Sequence, residues 1–150
     1  MTKILFVCHG NICRSTMAEF LFKDMVKKAR LSDKFYIASA ATSTEEIGNP
    51  VHPGTRAKLS EVGISCTGKY AVQMTKADYQ KYDLLIGMDT ANTRNMTRIC
   101  GGDPDEKIRL LLDYADGGSV ADPWYTGDFD ATYRDVLRGC EALLKNLENI

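Results

Sequence analysis

The sequence predicts an α/β fold: one domain, residues 1–150, built on a four-stranded parallel sheet with helices on both faces. Three observations carry this. Four short apolar runs of buried-strand type, at residues 4–7, 35–40, 84–88 and 108–112, alternate with segments of helical periodicity. Gly63 and the Gly101-Gly102 pair stand where two of those helical segments should stop. The chain has 150 residues, 44% hydrophobic and 26% charged, which suits one soluble domain with an adequate core.

Taken in order, Ile4-Leu5-Phe6-Val7 is the first strand, followed by a short loop and a helix. That helix carries Met17, Ala18, Leu21, Phe22, Met25 and Ala29 on one side, with Glu19, Lys23, Asp24, Lys27 and Lys28 opposite. The second strand, from Phe35 to Ala40, gives way to a polar loop punctuated by Asn49-Pro50 and Pro53-Gly54. A helix is predicted over Thr55 to Val62, then an irregular stretch to Gln73. A short helix around Lys76 to Lys81 precedes Leu84-Leu85-Ile86-Gly87-Met88, the clearest buried strand. A helix from Thr90 to Ile99 and a fourth strand from Ile108 to Leu112 follow. The last helix shows a firm apolar stripe: Phe129, Tyr133, Val136, Leu137, Cys140, Leu144 and Leu147.

Charge and cysteine usage narrow the function. With 19 basic against 20 acidic residues and a net charge of −1, no nucleic-acid footprint is expected. The apolar runs are strand-sized, so no membrane span is expected, and the run after Lys3 is too short for a signal peptide. Five cysteines make an odd count without a Cys-x2-Cys pair, which argues against a disulfide framework or a metal site. Free thiols in a reducing cytoplasm, with no metal or cofactor, are the expectation. Cys66, Cys100 and Cys140 read as structural, and His52, beside Pro53, as a solvated loop residue.

The chemistry is concentrated in Cys8-His9-Gly10-Asn11-Ile12-Cys13-Arg14-Ser15. A loop turning sharply from a strand into a helix aims backbone N–H groups inward, and the helix N-terminus adds partial positive charge. Such a field favours thiolate over thiol, so Cys8 is expected to act as a nucleophile. Arg14 supplies a planar fork matched to phosphate oxygens. Gly10 permits torsions denied to other residues, Asn11 tolerates the left-handed region, and Ser15 can cap N–H groups or donate to the thiolate.

Together with Val7, this loop resembles the phosphate-binding loop (P-loop) of the low-molecular-weight protein-tyrosine phosphatases. Ser39-Ala40-Ala41-Thr42-Ser43, Ile47-Gly48-Asn49-Pro50, Met88-Asp89 with Asn92, and Asp122-Pro123-Trp124-Tyr125 agree, so the likeness runs from Lys3 to the last helix. The resemblance implies that family's phosphatase fold, a variant of the Rossmann- and flavodoxin-like sheets. It also implies metal-independent hydrolysis of phosphotyrosine through a phosphocysteine. On local sequence Asp122 is a loop acid before a turn-forming proline, with Asp113, Asp116 and Asp128 as other acids nearby. The resemblance makes Asp122 the general acid and then base. Pro123 holds it extended, and Gly117-Gly118 give its loop freedom.

The same resemblance implies phosphate binding by the N–H groups of His9 to Arg14, with Asn11 and Ser15 as supports and Cys13 as a redox partner of Cys8. Trp124 and Tyr125 are expected to wall the cleft, and His9 to line its rim. Glu45 stands where such phosphatases often place an aromatic, which gives the cleft an acidic wall. Lys69 and Val72 replace a His with a nearby Arg before Gln73-Met74-Thr75, and Ser15-Thr16 replaces a Ser-Pro step. Expected partners are tyrosine-phosphorylated proteins, with the chain a monomer or weak dimer. Three alternatives share the loop. A phosphoarginine phosphatase tends to carry Thr where Ile12 stands. An arsenate reductase needs two closely spaced late cysteines, whereas Cys66 and Cys100 lie far apart in sequence. A phosphotyrosine- or oxyanion-binding module would lack Cys8 or Asp122.

Overall fold

The computed structural model describes residues 1–148; the last two residues of the expected domain lie outside the described ones. Four parallel strands, β1 (Thr2–Cys8), β2 (Phe35–Ala41), β3 (Leu84–Gly87) and β4 (Ile108–Leu110), form one sheet in the order β2-β1-β3-β4. Side chains alternate across it. Ile4, Phe6 and Ile86 face one core with α1 (Arg14–Lys28) and α6 (Phe129–Glu148), joined by Met17, Phe22, Val136 and Leu143. Leu5, Val7 and Leu85 face the other, with Tyr79 of α3 (Asp78–Lys81) and Met96 of α4 (Thr90–Cys100). Both faces are buried, which explains why the strands are continuous apolar runs.

Two α-helices remain: α2 (Pro53–Glu61) against α1 and α6, and the single turn α5 (Pro123–Thr126) at the carboxyl end of the sheet. The helix stop at Gly101 is a left-handed cap with φ of 77°.

The structure corrects several expected boundaries. The fourth strand ends at Leu110, because Leu111 and Leu112 are buried in a 3₁₀ turn, Leu111–Tyr114, that packs on α6. An apolar pair fills a core equally well from either conformation, so periodicity cannot separate them. Helix α2 starts at Pro53, a residue suited to the first helical position. Glu19, expected on the solvent face of α1, is buried, and its partners are described below. Among the described residues no helix is long and apolar enough to cross a membrane.

Candidate active site

The chain leaves β1 toward β2 on one side and returns to β3 on the other, so the loops after β1 and β3 diverge and leave a crevice. Cys8 ends β1, and Asp89 starts α4 just beyond β3. Their loops meet the residues after β2 and around α5 to form a cleft of about 440 Å³. Cys8, His9, Gly10, Ile12, Cys13, Arg14, Glu45, Asp122, Trp124 and Tyr125 all line it, and Asn11 and Ser15 lie buried behind.

The loop from Cys8 to Arg14 is held by its carbonyl groups. Cys8 accepts from the Thr42 N–H and His9 from the Ser43 N–H and hydroxyl. Ile12 accepts from the His52 N–H, and Cys13 from the Met17 N–H and the Thr16 and Thr55 hydroxyls. In a trans peptide the C=O and the next N–H point oppositely, and no cis bond occurs among the described residues. Engaging those carbonyls therefore turns the N–H groups of His9, Gly10, Cys13 and Arg14 to the other side of the loop. Asn11 makes the reversal, with φ of 59°. Gly10 does not take a positive φ, contrary to expectation; a Cβ there would stand 3.3 Å from Glu46 Cγ.

Ser15 does not cap the helix. Its hydroxyl lies 3.1 Å from Cys8 Sγ and its N–H points at the same sulfur from 3.4 Å. Asn11 Nδ2 donates to Ser15 Oγ at 2.8 Å, leaving the Ser15 proton free for the sulfur. The network continues inward. Asn11 Nδ2 also donates to Ser39 Oγ at 2.9 Å, and Ser39 donates to buried Glu19. Lys69 Nζ donates to the Ser39 carbonyl at 2.9 Å and sits 3.6 Å from Glu19 Oε1. Burial pulls the Lys69 pKa below its ordinary value despite Glu19. The Val72 N–H donates to Asn11 Oδ1 at 3.1 Å. Support for Asn11 thus comes from a serine hydroxyl and a backbone amide, so the side chain at position 72 is free to be valine.

Arg14 is buried yet joined to two acids. Its Nη1 donates to Asp89 Oδ2 at 2.7 Å and its Nη2 to Asp122 Oδ2 at 3.3 Å. Burial opposes the guanidinium charge, but Cys8, Asp89 and Asp122 outweigh it and hold its pKa above arginine's usual value. Asp89 divides its work. One oxygen takes Arg14, and the other accepts from the Asn92 N–H at 2.8 Å in a capping box. Burial raises its carboxyl pKa, but Arg14 and the Asn92 and Ala91 N–H groups prevail, so it lies below the usual range. Asp122 is extended and caps α5 through the Trp124 N–H at 3.0 Å.

The rim is exposed. Trp124 and Tyr125 retain 64% and 84% of their accessible surface. Opposite them, Glu45 Oε2 pairs with His9 Nε2 at 2.9 Å, beside Glu46. Cys13 is buried, and desolvation, then the charges of Cys8 and Asp122, pushes its thiol up to about 12. All five cysteines are free and buried. His52 is not a solvated loop residue: it caps α2, accepting from the Gly54 N–H at Nδ1, and stacks on Phe129.

Residues 3–150 match the family model described as low molecular weight phosphotyrosine protein phosphatase. The chain belongs to this family and is a protein-tyrosine phosphatase. It is 39% identical to the low molecular weight protein-tyrosine-phosphatase YfkJ of Bacillus subtilis over 99% of this chain and 97% of that protein. The crystal structure of YfkJ superposes with a TM-score of 0.95, covering 99% of this chain and 96% of that one. The low molecular weight protein tyrosine phosphatase of Streptococcus pyogenes is 43% identical, with a TM-score of 0.89 over 98% and 93% of the two chains. A Drosophila arginine phosphatase shares the fold at 28% identity and a TM-score of 0.89 over 98% of each chain. This phosphatase family thus accounts for the fold. Sequence reasoning missed Asp89 as the partner of Arg14 and Glu19 as part of the loop's support. A capping-box pattern, Asp89 to Asn92 after a buried parallel strand, was the available signal for the first.

Proposed function

We propose that this phosphatase hydrolyses protein phosphotyrosine and small aryl phosphates through a phosphocysteine on Cys8, without metal. The observation that carries the reading is the convergence on one cleft of a sulfur receiving two Ser15 contacts, a buried arginine and a capped aspartate. The Cys8 thiolate attacks phosphorus in line with the ester oxygen. Loop N–H groups and Arg14 hold the equatorial oxygens, most tightly in the transition state. Asp122 gives its proton to the departing phenolate as the P–O bond breaks and the S–P bond forms. Asp122 then takes a proton from water, whose oxygen attacks phosphorus and releases inorganic phosphate and the Cys8 thiolate.

Ile12, which lines the cleft, favours an aromatic substrate over phosphoarginine, and Trp124 and Tyr125 offer it flat surfaces. Cys13 serves as resolving thiol. After peroxide oxidises Cys8 to the sulfenic acid, the Cys13 thiol condenses with it, releasing water and forming a disulfide that cellular thiols reduce. Five free cysteines suit a reducing cytoplasm, and the chain acts as a monomer or weak dimer. The test is phosphate release from a phosphotyrosine peptide and from phosphoarginine, with chelator present. Turnover confined to phosphotyrosine and abolished by Cys8→Ser supports the proposal. Preference for phosphoarginine overturns the substrate assignment, and turnover surviving Cys8→Ser overturns the nucleophile.

A further inference from the structure

Asp122 is anchored firmly on its upstream side. The Ala121 N–H donates to Asp135 Oδ2 at 3.1 Å, the Ala121 carbonyl accepts from the Thr132 hydroxyl at 2.8 Å, and the Val120 N–H donates to the Met88 carbonyl at 2.9 Å. Downstream, the chain runs through exposed Trp124 and Tyr125 to a left-handed Gly127 before α6 begins at Phe129. The His52 side chain reaches this stretch from the phosphate loop's side of the cleft, beside Ile12 and Cys13. The His52 ring stacks on Phe129 with centroids 5.1 Å apart and planes at 27°, and meets Trp124 edge-on at 6.4 Å and 82°. Its backbone N–H donates to the Ile12 carbonyl at 2.9 Å, in the loop that holds phosphate.

The setting is built for contact. A Cβ on Gly54 would lie 2.3 Å from the Phe129 ring, so α2 can abut Phe129 only with glycine there. Phe129 in turn packs against Ile12 and Cys13. Nδ1 accepts from the Gly54 N–H at 3.0 Å, which fixes the ring's orientation and puts the proton of the neutral ring on Nε2. Edge-to-face and offset stacked pairs of these dimensions are favourable beyond the area they bury.

We propose that the His52 ring is a positioning residue for the general-acid loop, clamping Trp124 and Phe129 to the phosphate loop so that Asp122 stays aimed at the leaving oxygen. This rests on the reading of Asp122 as general acid. Two variants separate the ring from the cap. His52→Asn keeps a capping acceptor and loses the ring; His52→Phe keeps the ring and loses the acceptor. Activity is read as kcat/KM for a phosphotyrosine peptide relative to p-nitrophenyl phosphate, whose better leaving group needs less proton donation. Trp124 is the sole tryptophan of the sequence, so intrinsic fluorescence reports this loop directly.

His52→Asn is expected to lower that ratio about three- to tenfold. Inhibition by inorganic phosphate stays unchanged, and Trp124 emission becomes more quenchable by acrylamide. His52→Phe restores both ratio and emission, with the lost cap appearing as a lower Tm. The reverse pattern, Asn normal and Phe impaired, overturns the proposal, because His52 would then matter as a helix cap. A change in phosphate inhibition in both variants also overturns it, by placing the effect in the phosphate loop. Asp122→Asn is the control. If it lowers the ratio while His52→Asn does not, the clamp is wrong and the general acid stands. If Asp122→Asn leaves the ratio alone, the general-acid reading fails, and Trp124 quenching still decides whether His52 holds the loop.

Discussion

The phosphate loop and the acid loop face each other across one cleft but are built in opposite ways. Asn11, Arg14 and Ser15 are at most 3% exposed, and each makes two or more hydrogen bonds to groups that are themselves held. Trp124 and Tyr125 stand mostly in solvent, on a four-residue turn flanked by left-handed glycines at 117, 118 and 127. A loop that must present several N–H groups to one anion gains from being over-determined, because misplacement by a fraction of an ångström weakens every bond. A loop that must admit a protein-borne ring and deliver a proton gains from access. On the proposed mechanism, the difference predicts that phosphate recognition and leaving-group chemistry can be damaged separately.

The largest effect should come from the acid loop's carboxylate. Asp122→Asn is expected to lower turnover of phosphotyrosine about 10²–10⁴-fold while phosphate inhibition stays near wild type. Steady-state kinetics with inorganic phosphate as inhibitor checks both halves. On the other side, Ser39→Ala removes the hydroxyl that joins Asn11 to buried Glu19 and leaves that acid oxygen with only Lys69 Nζ, 3.6 Å away. A loss of about 1–3 kcal/mol in stability is expected, read as a lower Tm by calorimetry, together with weaker phosphate inhibition. A Ser39→Ala protein with unchanged Tm and phosphate affinity would show that the loop does not depend on its buried support.

Acid sharpens the contrast further. Asp89 has a folded pKa below its unfolded value, so its contribution to stability is present in full above about pH 4. That contribution is lost as pH falls through the folded value. Denaturation midpoints measured from pH 6 downward should therefore fall less steeply for Asp89→Asn than for wild type. The smallest effect belongs to the rim. Glu45 is 69% exposed where it pairs with His9, so Glu45→Gln should change KM by about two- to threefold. The change should be larger for peptides with a basic residue beside the phosphotyrosine.

How much of this was legible follows from the same contrast. The phosphate loop lies in one contiguous run between a buried strand and an amphipathic helix, so Cys8, Arg14 and Ser15 declared themselves. The parallel sheet did too, because burial on both faces leaves continuous apolar strands. Asp122 was ambiguous locally, since an acid before proline is also an ordinary turn, and needed the resemblance. Periodicity places Glu19 on the outer face of its helix; Lys23 pairs with it one turn on, but Ser39 and Lys69, which complete its partners, come from elsewhere in the chain. His52 and Asp89 escaped for that reason as well. Their roles arise where α2 meets α6 and where β3 ends beside β1, which no local pattern records.

The most direct test of the account traps its intermediate. Asp122→Asn, mixed with p-nitrophenyl phosphate, whose leaving group needs little proton donation, and quenched within one turnover, should carry a single phosphate on the peptide containing Cys8 by mass spectrometry, and Cys8→Ser should carry none. Phosphate release in wild type with no such adduct on any timescale, or an adduct that survives Cys8→Ser, would contradict it.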